Sequence, residues 1–459
     1  MKVEVISREI IKPSSPTPAN LRRYVLSFPD QLCPRTHNPF IYYYEFNGNQ
    51  ADEISNKLKI SLSQALTLYH PLAGRLTSDN SFVDCDDNGA LFVKARVDSR
   101  LSDVVENDQI PLSAFNKLLP SELDKTAEYP LGVQLNFFDC GGFAVGVSIS
   151  HTLADALSCL VFIRSWMAIA RSDNDVAAVA RPEFRSAAIF PPQNVGGFNS
   201  FSIVPKGDAN VTKRFSIDAR KIEALRAKYE EIRKNCEEEG TQKTSKRISR
   251  IEALSAFIWS RVVASTKDVE FLSANNKLYK IRQTVNLRPR FDPPLPEHSF
   301  GNYLSSSATT VTVTSADQDN YCHRLARQMG EEITKVNKDF VTYMRENGDK
   351  FVDFAKKEAE KLARGEVAGT FVFTSLCRFP LYEADFGWGK PVWVSSVNRG
   401  FANVVSFQDN RNGDGLEVYL CLKAEDMANF EADQEFLAFV SPIVTKKGPF
   451  KCGTMLSGV

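Results

Sequence analysis

The chain's 459 residues exceed what one hydrophobic core usually organises, so the sequence predicts two domains of roughly 200 residues each. Residues 186–212 are rich in Pro, Gly, Asn and Ser and show no sustained hydrophobic period, which is typical of a linker. We place the crossover there, with an N-terminal domain at 1–190, a linker at 191–213 and a C-terminal domain at 214–459. Strand-like and helix-like periods occur in both halves and predict an α/β architecture.

Charge and cysteine usage exclude several classes of protein. Lys and Arg together number 56, as do Asp and Glu, so no overall field favours nucleic acid or an anionic membrane. The nine cysteines form neither a CxxC pair nor a Cys/His cluster at zinc spacing, so we predict reduced thiols and no metal. Neither a secretory signal nor a membrane-spanning run is recognisable, and we expect a cytosolic monomer.

Local patterns predict several elements around the chemistry. Asp52–Leu68 has helical spacing, and Ser81–Asp84 and Leu91–Arg96 are strand-like. Ser249 is followed three residues later by Glu252, the pattern of a capping box that opens a helix.

The segment 143–155, FAVGVSISHTLAD, carries the best local signal for catalysis. Its bulky residues alternate with small ones, which predicts a strand whose inward face ends at His151. Thr152 and Asp155 then resemble a capping box at the start of an apolar helix. A histidine fixed at such a junction suits a general base near neutral pH. The alternative is a core histidine with satisfied hydrogen bonds and an Asp155 that only caps the helix.

A second signal lies at 385–390, DFGWGK. Gly387 and Gly389 on either side of Trp388 predict a tight turn beside a bulky anchor, and VWVSSV reads as a strand soon afterwards. We favour a structural role for this turn. A direct chemical role for Asp385 is the alternative.

HTLAD and DFGWGK, some 230 residues apart, resemble the HxxxD and DFGWG pair of the plant BAHD acyltransferases. The resemblance runs from PSSPTP through YHPLAGRL and VNLRPR to LCRFPLYEADFGWGKP and so covers nearly the whole chain. It implies two chloramphenicol-acetyltransferase-like domains with a solvent channel between them, entered by acyl-CoA from one side and by an alcohol from the other. His151 would lie in mid-channel and act as the base for direct transfer, with no bound cofactor.

The resemblance also implies roles for the other motif residues. Asp155 is expected to point away from the base and to pair with Arg288, which holds the loop. Gly387, Trp388 and Gly389 are expected to support structure, and Asp385 is retained as a possible second proton acceptor.

Two differences from the motifs of other family members indicate to which branch of the family the chain is most similar. Ala156 stands where many hydroxycinnamoyl-transferring relatives have Gly, and Ser299–Tyr303 reads SFGNY instead of YFGNC. Together with PSSPTP and SLCRFP, these features place the chain near the alkaloid and terpenoid acetyltransferases of the vinorine synthase type. Acetyl-CoA is then the expected co-substrate, and a plant specialised-metabolite alcohol the expected acceptor.

Binding residues are predicted less directly. The resemblance implies that the acceptor meets alternate residues of HNPFIY, a strand-like run: Asn38, Phe40 and Tyr42. For CoA, a helix start with basic neighbours offers amides and positive charge to phosphates: Lys246, Arg247, Ser249 and Arg250. Ser375 and Arg378 are further candidates, although each basic residue could equally be a solvated surface charge.

Other functions compete with this hypothesis. An N-acyltransferase or an enzyme using a hydroxycinnamoyl or other donor would keep the same base, and a hydrolase would use water as the acceptor. The nucleophile-elbow motif GxSxG is absent, which disfavours a serine hydrolase. A binding protein that kept the fold and lost turnover is the non-enzymatic alternative.

Overall fold

The computed structural model describes residues 1–440 apart from 47, 49, 108, 121, 124, 126–127, 173–174, 238–246, 267–277 and 313–317. Lys246, one of the predicted CoA-binding residues, lies outside the described residues. Within the described ranges, no helix combines the length and the apolar content needed to cross a membrane.

Two six-stranded mixed sheets and one small sheet form the framework. The strands in chain order are β1 (Lys2–Ile11), β2 (Arg23–Val25), β3 (His37–Tyr44), β4 (Arg75–Leu76), β5 (Phe82–Asp84), β6 (Ala90–Asp98), β7 (Leu131–Phe138), β8 (Phe143–Ser150), β9 (Asn210–Asp218), β10 (Leu278–Asn286), β11 (Leu304–Thr312), β12 (Gly369–Ser375), β13 (Trp393–Ser395), β14 (Val404–Asp409) and β15 (Gly415–Lys423).

The first sheet has the order β1-β6-β7-β8-β3-β13, and the second has the order β11-β10-β12-β14-β15-β9. Only the β6/β7 pair is parallel in the first sheet, whereas β12 runs parallel to both β10 and β14 in the second. The small sheet has the order β2-β5-β4. The α/β prediction is thereby confirmed.

The helices cover the sheets and connect their strands. They are α1 (Phe28–Leu32), α2 (Ala51–Leu68), α3 (Leu101–Val105), α4 (Leu112–Phe115), α5 (Ala156–Arg171), α6 (Ser186–Ile189), α7 (Ala219–Glu237), α8 (Arg250–Ser265), α9 (Gln318–Lys335), α10 (Lys338–Glu346), α11 (Gly348–Ala363), α12 (Ala424–Glu431) and α13 (Gln434–Phe439). Single 3₁₀ turns lie at Ala19–Leu21, His70–Ala73, Asn116–Leu118, Val176–Ala178, Ser200–Ser202, Arg288–Arg290 and Leu381–Glu383.

Each large sheet has its own hydrophobic core. The first packs one face against α2 and α5, where side chains such as Leu58, Leu62 and Trp166 are fully buried. The second packs against α7, α8 and α9. The helix predicted at 52–68 and the strands predicted at 81–84 and 91–96 are confirmed, with every end within two residues of the prediction.

One strand crosses between the halves of the sequence. β13 pairs antiparallel with β3, with Trp393 opposite Tyr43, and the two rings stack with centroids 4.9 Å apart. The first sheet therefore includes residues far beyond the predicted crossover, and β9 begins at Asn210, inside the segment 191–213. The division into domains at that segment stays a prediction.

Candidate active site

His151 lies where β8 ends and the chain turns toward α5. Its backbone N donates to the Thr36 carbonyl at 2.8 Å, which extends the β3/β8 ladder by one residue beyond Ser150. The helix cap differs from the prediction. Asp155 itself is the N-cap and accepts from the Ser158 amide at 2.8 Å, because residues 151–153 form a turn before the helix starts. The capping role predicted for Thr152 is wrong.

The environment of His151 keeps its imidazole neutral. Burial, together with the smaller effect of the positive charge of Arg399, lowers the pKa of His151 to about 4. Nδ1 is buried without a hydrogen-bond partner among the described residues, although the residue as a whole keeps some accessible surface. A neutral imidazole at pH 7 can accept a proton, which is the first requirement of a general base.

Asn302 holds the backbone at His151. Its Nδ2 donates to the His151 carbonyl at 2.8 Å and to Asp30 Oδ1 at 2.8 Å. The Asn302 side chain also raises the pKa of His151, against the larger effect of burial. Asp30 is fully buried, and it accepts in addition from the Asn302 amide at 2.9 Å and from Ser27 Oγ at 2.6 Å. Segments around residues 30, 151 and 302 are thereby tied together at the site.

Asp155 and Arg288 form a buried ion pair. Nη1 of Arg288 lies 2.7 Å from Oδ2 of Asp155, and Nη2 lies 3.2 Å from Oδ1. Arg288 also donates to the carbonyl of Ser299, and Asp155 also accepts from the Tyr303 amide. Both oxygens of the Asp155 carboxylate thus accept hydrogen bonds from Arg288 and from nearby backbone amides. The expected contact between Asp155 and Arg288 is present. Their importance for turnover stays a prediction.

The DFGWGK turn has the backbone that its glycines predict. Gly387 and Gly389 have φ values of +106° and +97°, a region that side chains with Cβ disfavour. Asp385 Oδ1 accepts from both of their amides, at 2.7 and 3.0 Å. Phe386 is 1% exposed and is the deeply buried aromatic, whereas Trp388 is only partly buried.

This turn is remote from His151. Gly387 lies against Arg171, the last residue of α5, whereas His151 precedes the first turn of that helix. Sixteen residues of α-helix are about 24 Å long. This separation favours the structural role of Asp385, and a direct chemical role for it stays a prediction.

The residues predicted to face the acceptor pack in the first core. Asn38, Phe40 and Tyr42 alternate along β3 as expected, and all three are at least 94% buried. Asn38 Nδ2 donates to the Ala154 carbonyl at 3.1 Å, and the two aromatic rings belong to the hydrophobic cluster beneath the sheet. The structure assigns them packing contacts, and acceptor binding by them stays a prediction.

The predicted CoA residues separate into two groups. Arg250 and Arg378 meet at Asp409, whose carboxylate lies 3.7 Å from the Arg250 guanidinium and accepts from the Arg378 amide at 2.6 Å. Ser375 lies nearby, where its hydroxyl accepts from the Cys377 amide. Arg247 instead pairs with Glu223 at 3.2 Å on the surface.

The start of α8 carries a complete capping box. Ser249 Oγ accepts from the Glu252 amide, and Glu252 in turn accepts from the Ser249 amide at 2.7 Å. The predicted box is confirmed. Because the Glu252 carboxylate already occupies the positive end of the helix, this terminus is less suited to a phosphate than the sequence implied.

Asn302, Asp30 and Arg399 were missed by the sequence analysis. Asn302 lies within SFGNY, a segment that was used only to distinguish branches of the family by its difference from YFGNC. Asp30 follows Ser27 by three residues, the spacing of a capping box that the structure contains. No local pattern marks Arg399, because its position depends on contacts with β3.

Comparison with known proteins indicates the same family as the two sequence motifs do. The model of the Transferase family matches residues 1–437. Epi-neemfruitin B synthase of Melia azedarach is 35% identical, with 96% of this chain and 99% of that protein aligned, and a limonoid 1-O-acetyltransferase of Citrus sinensis is 34% identical with the same coverage.

Vinorine synthase of Rauvolfia serpentina is 36% identical, with 93% of this chain and 96% of that protein aligned. The crystal structure of vinorine synthase superimposes with a TM-score of 0.78 at 32% identity and covers 96% of this chain and 99% of that one. Sequence, fold and the geometry around His151 agree, and the chain belongs to the Transferase family, the BAHD acyltransferases.

Proposed function

We propose that this protein transfers an acetyl group from acetyl-CoA to a hydroxyl of a plant terpenoid or alkaloid alcohol. The observation that carries the proposal is His151, a neutral imidazole held at a strand end with its neighbouring Asp155 committed to Arg288. Support for acetyl transfer comes from the relatives, among them a limonoid 1-O-acetyltransferase, a stemmadenine O-acetyltransferase and a salutaridinol 7-O-acetyltransferase.

In the proposed mechanism, Nε2 of His151 accepts the proton of the acceptor hydroxyl while the oxygen attacks the thioester carbonyl. The tetrahedral intermediate then collapses, the carbon–sulfur bond breaks, and the imidazolium returns its proton to the leaving thiolate. The products are the acetyl ester and free CoA. Nδ1 is the buried nitrogen, which leaves Nε2 as the one that can meet a substrate.

Asp155 acts in this scheme through position alone. A triad would require its carboxylate on Nδ1 of His151, but both of its oxygens accept from Arg288. We infer that the pair fixes the turn at 151–155 and hence the direction of the imidazole. A cytosolic location belongs to the same proposal, and its support is that the seven cysteines described in full are all free thiols.

The test is incubation of purified protein with acetyl-CoA and a panel of terpenoid and alkaloid alcohols, with products read by mass. We expect products heavier by one acetyl group. Absence of every ester, with acetyl-CoA hydrolysed at the same rate with or without alcohol, would favour the hydrolase alternative. Amide products from amines at a higher rate would favour N-acylation.

Donor choice is tested by competition between equal concentrations of acetyl-, malonyl- and coumaroyl-CoA. A site sized for acetyl disfavours larger groups, since overpacking typically costs 1–3 kcal/mol, or about tenfold or more in rate. A dominant coumaroyl ester would refute the acetyl preference and leave acyl transfer intact.

A further inference from the structure

Arg399 is a partly buried residue whose guanidinium has no acidic partner among the described residues. It lies between β13 and β14, and its Nη2 is 3.5 Å from the His37 carbonyl. Nε is buried and has no hydrogen-bond partner among the described residues. Cζ also lies 5.4 Å from the centroid of the Phe401 ring. None of the carboxylates in the described part of the chain forms an ion pair with it.

The position of Arg399 brings its charge to the catalytic end of β8. His37 lies opposite Ser150 in the β3/β8 ladder, and Ser150 directly precedes His151. The charge of Arg399 is close enough to lower the pKa of His151. Burial in turn lowers the pKa of Arg399 to about 10, so the guanidinium stays charged at neutral pH.

Three arginine side chains that are more than nine-tenths buried in the described part of the chain are each paired with a carboxylate. Arg288 binds Asp155, Arg261 lies 3.0 Å from Glu435, and Arg214 lies 3.9 Å from Glu417. A desolvated charge without a counter-ion is costly to a fold. Such a cost is retained where function needs it, and here the unpaired charge adjoins the base.

We propose that Arg399 is an acceptor-binding residue that selects alcohols carrying a carboxylate or another hydrogen-bond-accepting oxygen near the reacting hydroxyl. The guanidinium fork donates charge-assisted hydrogen bonds to such oxygens. An acceptor with a protonated amine in the same place meets a like charge, which disfavours its binding. This inference rests on the proposed function and favours oxygen-rich terpenoid alcohols over basic alkaloids within it.

The experiment uses three matched alcohols: 4-hydroxycyclohexanecarboxylate, its methyl ester and 4-(dimethylaminomethyl)cyclohexanol. Acetylation of each by wild type, Arg399→Met and Arg399→Lys is followed by the release of free CoA thiol. We expect Arg399→Met to lower kcat/KM for the carboxylate by about 10- to 100-fold and to leave the amine unchanged or faster. Arg399→Lys should retain part of the preference, because it keeps the charge and loses the fork.

An equal fall for all three alcohols would overturn the proposal, since it would mean that Arg399 acts on the shared thioester carbonyl. An unchanged order of the three in Arg399→Met would overturn it as well. If none of the three is acetylated, the proposed function is in question, and calorimetric binding of the carboxylate decides the subsite independently. Binding to wild type that is lost in Arg399→Met supports the subsite, and equal or absent binding refutes it.

Thermal stability provides the structural control. Arg399→Met removes an unpaired, partly buried charge, so its Tm should equal or exceed that of wild type, whereas Arg288→Met should melt at a lower temperature. A fall in Tm for Arg399→Met as large as that for Arg288→Met would make Arg399 a structural residue and contradict the proposal.

Discussion

Arg288 donates hydrogen bonds to both carboxylate oxygens of Asp155, although the two residues are 133 positions apart in the sequence. The pair joins the turn after β8 to the loop after β10. Arg288 is 2% exposed and Asp155 is 5% exposed, so water screens this contact little. The turn that carries His151 is thereby anchored from outside its own sequence.

Removing one member of this pair should destabilise the protein. Asp155→Ala or Arg288→Met leaves a buried charge unpaired, which costs roughly 3–5 kcal/mol of unfolding free energy. The double variant Asp155→Leu/Arg288→Met should lose less than the sum of the two, because neither charge remains. Urea denaturation measures all three, and single variants as stable as wild type would refute the structural role.

The DFGWGK turn should depend more on Phe386 than on Trp388. Phe386 packs edge-on against Trp166 with centroids 4.8 Å apart, and removing such a buried aromatic costs roughly 3–5 kcal/mol. Trp388 is partly exposed, so Trp388→Ala should cost clearly less. Melting temperatures of the two alanine variants test this order. A greater loss for Trp388→Ala would show that the anchor is misassigned.

Acid should destabilise the protein through two histidines. Burial lowers the pKa of both His151 and His70 to about 4, from an ordinary value of 6.5. The unfolded chain therefore takes up their protons below pH 6.5, and the folded chain does so only near pH 4. The free energy of unfolding therefore keeps its full value above pH 6.5 and falls as the pH drops from 6.5 to 4. The loss is at most about 3 kcal/mol for each histidine.

His151→Gln provides the comparison for that effect. Its unfolding free energy should fall less than that of wild type between pH 7 and pH 4.5, since one of the two histidines no longer titrates. Urea denaturation at the two pH values measures the difference. Parallel pH dependence in the two proteins would contradict a buried, neutral His151.

Patterns within about twenty residues were predictable from the sequence because neighbouring residues determine them. The Ser249 capping box, α2 and the strand–turn–helix path around His151 follow from side-chain periods of 2 and 3.6 and from cap chemistry. The cap of α5 moved from Thr152 to Asp155 because either residue can accept from the first amides, and the intervening turn decides which one does.

Relations between distant residues needed the structure. The sequence alone does not place DFGWGK at the far end of α5 from His151, nor Arg399 beside the end of β3. Side chains alternate between the two faces of β3, and this period of two correctly predicted that Phe40 and Tyr42 share a face. The period does not predict whether that face packs against a helix or contacts a ligand. For those residues, contacts within the core decide what each side chain meets, and these contacts come from segments distant in sequence.

The most direct test of the account is the turnover of His151→Ala with acetyl-CoA and the best alcohol from the panel. General-base assistance is worth about 10²- to 10⁴-fold, so kcat should fall by at least that range. The variant should remain folded and bind acetyl-CoA like wild type, because neither property uses the imidazole as a base. A folded His151→Ala protein that turns over within about tenfold of wild type would contradict the mechanism.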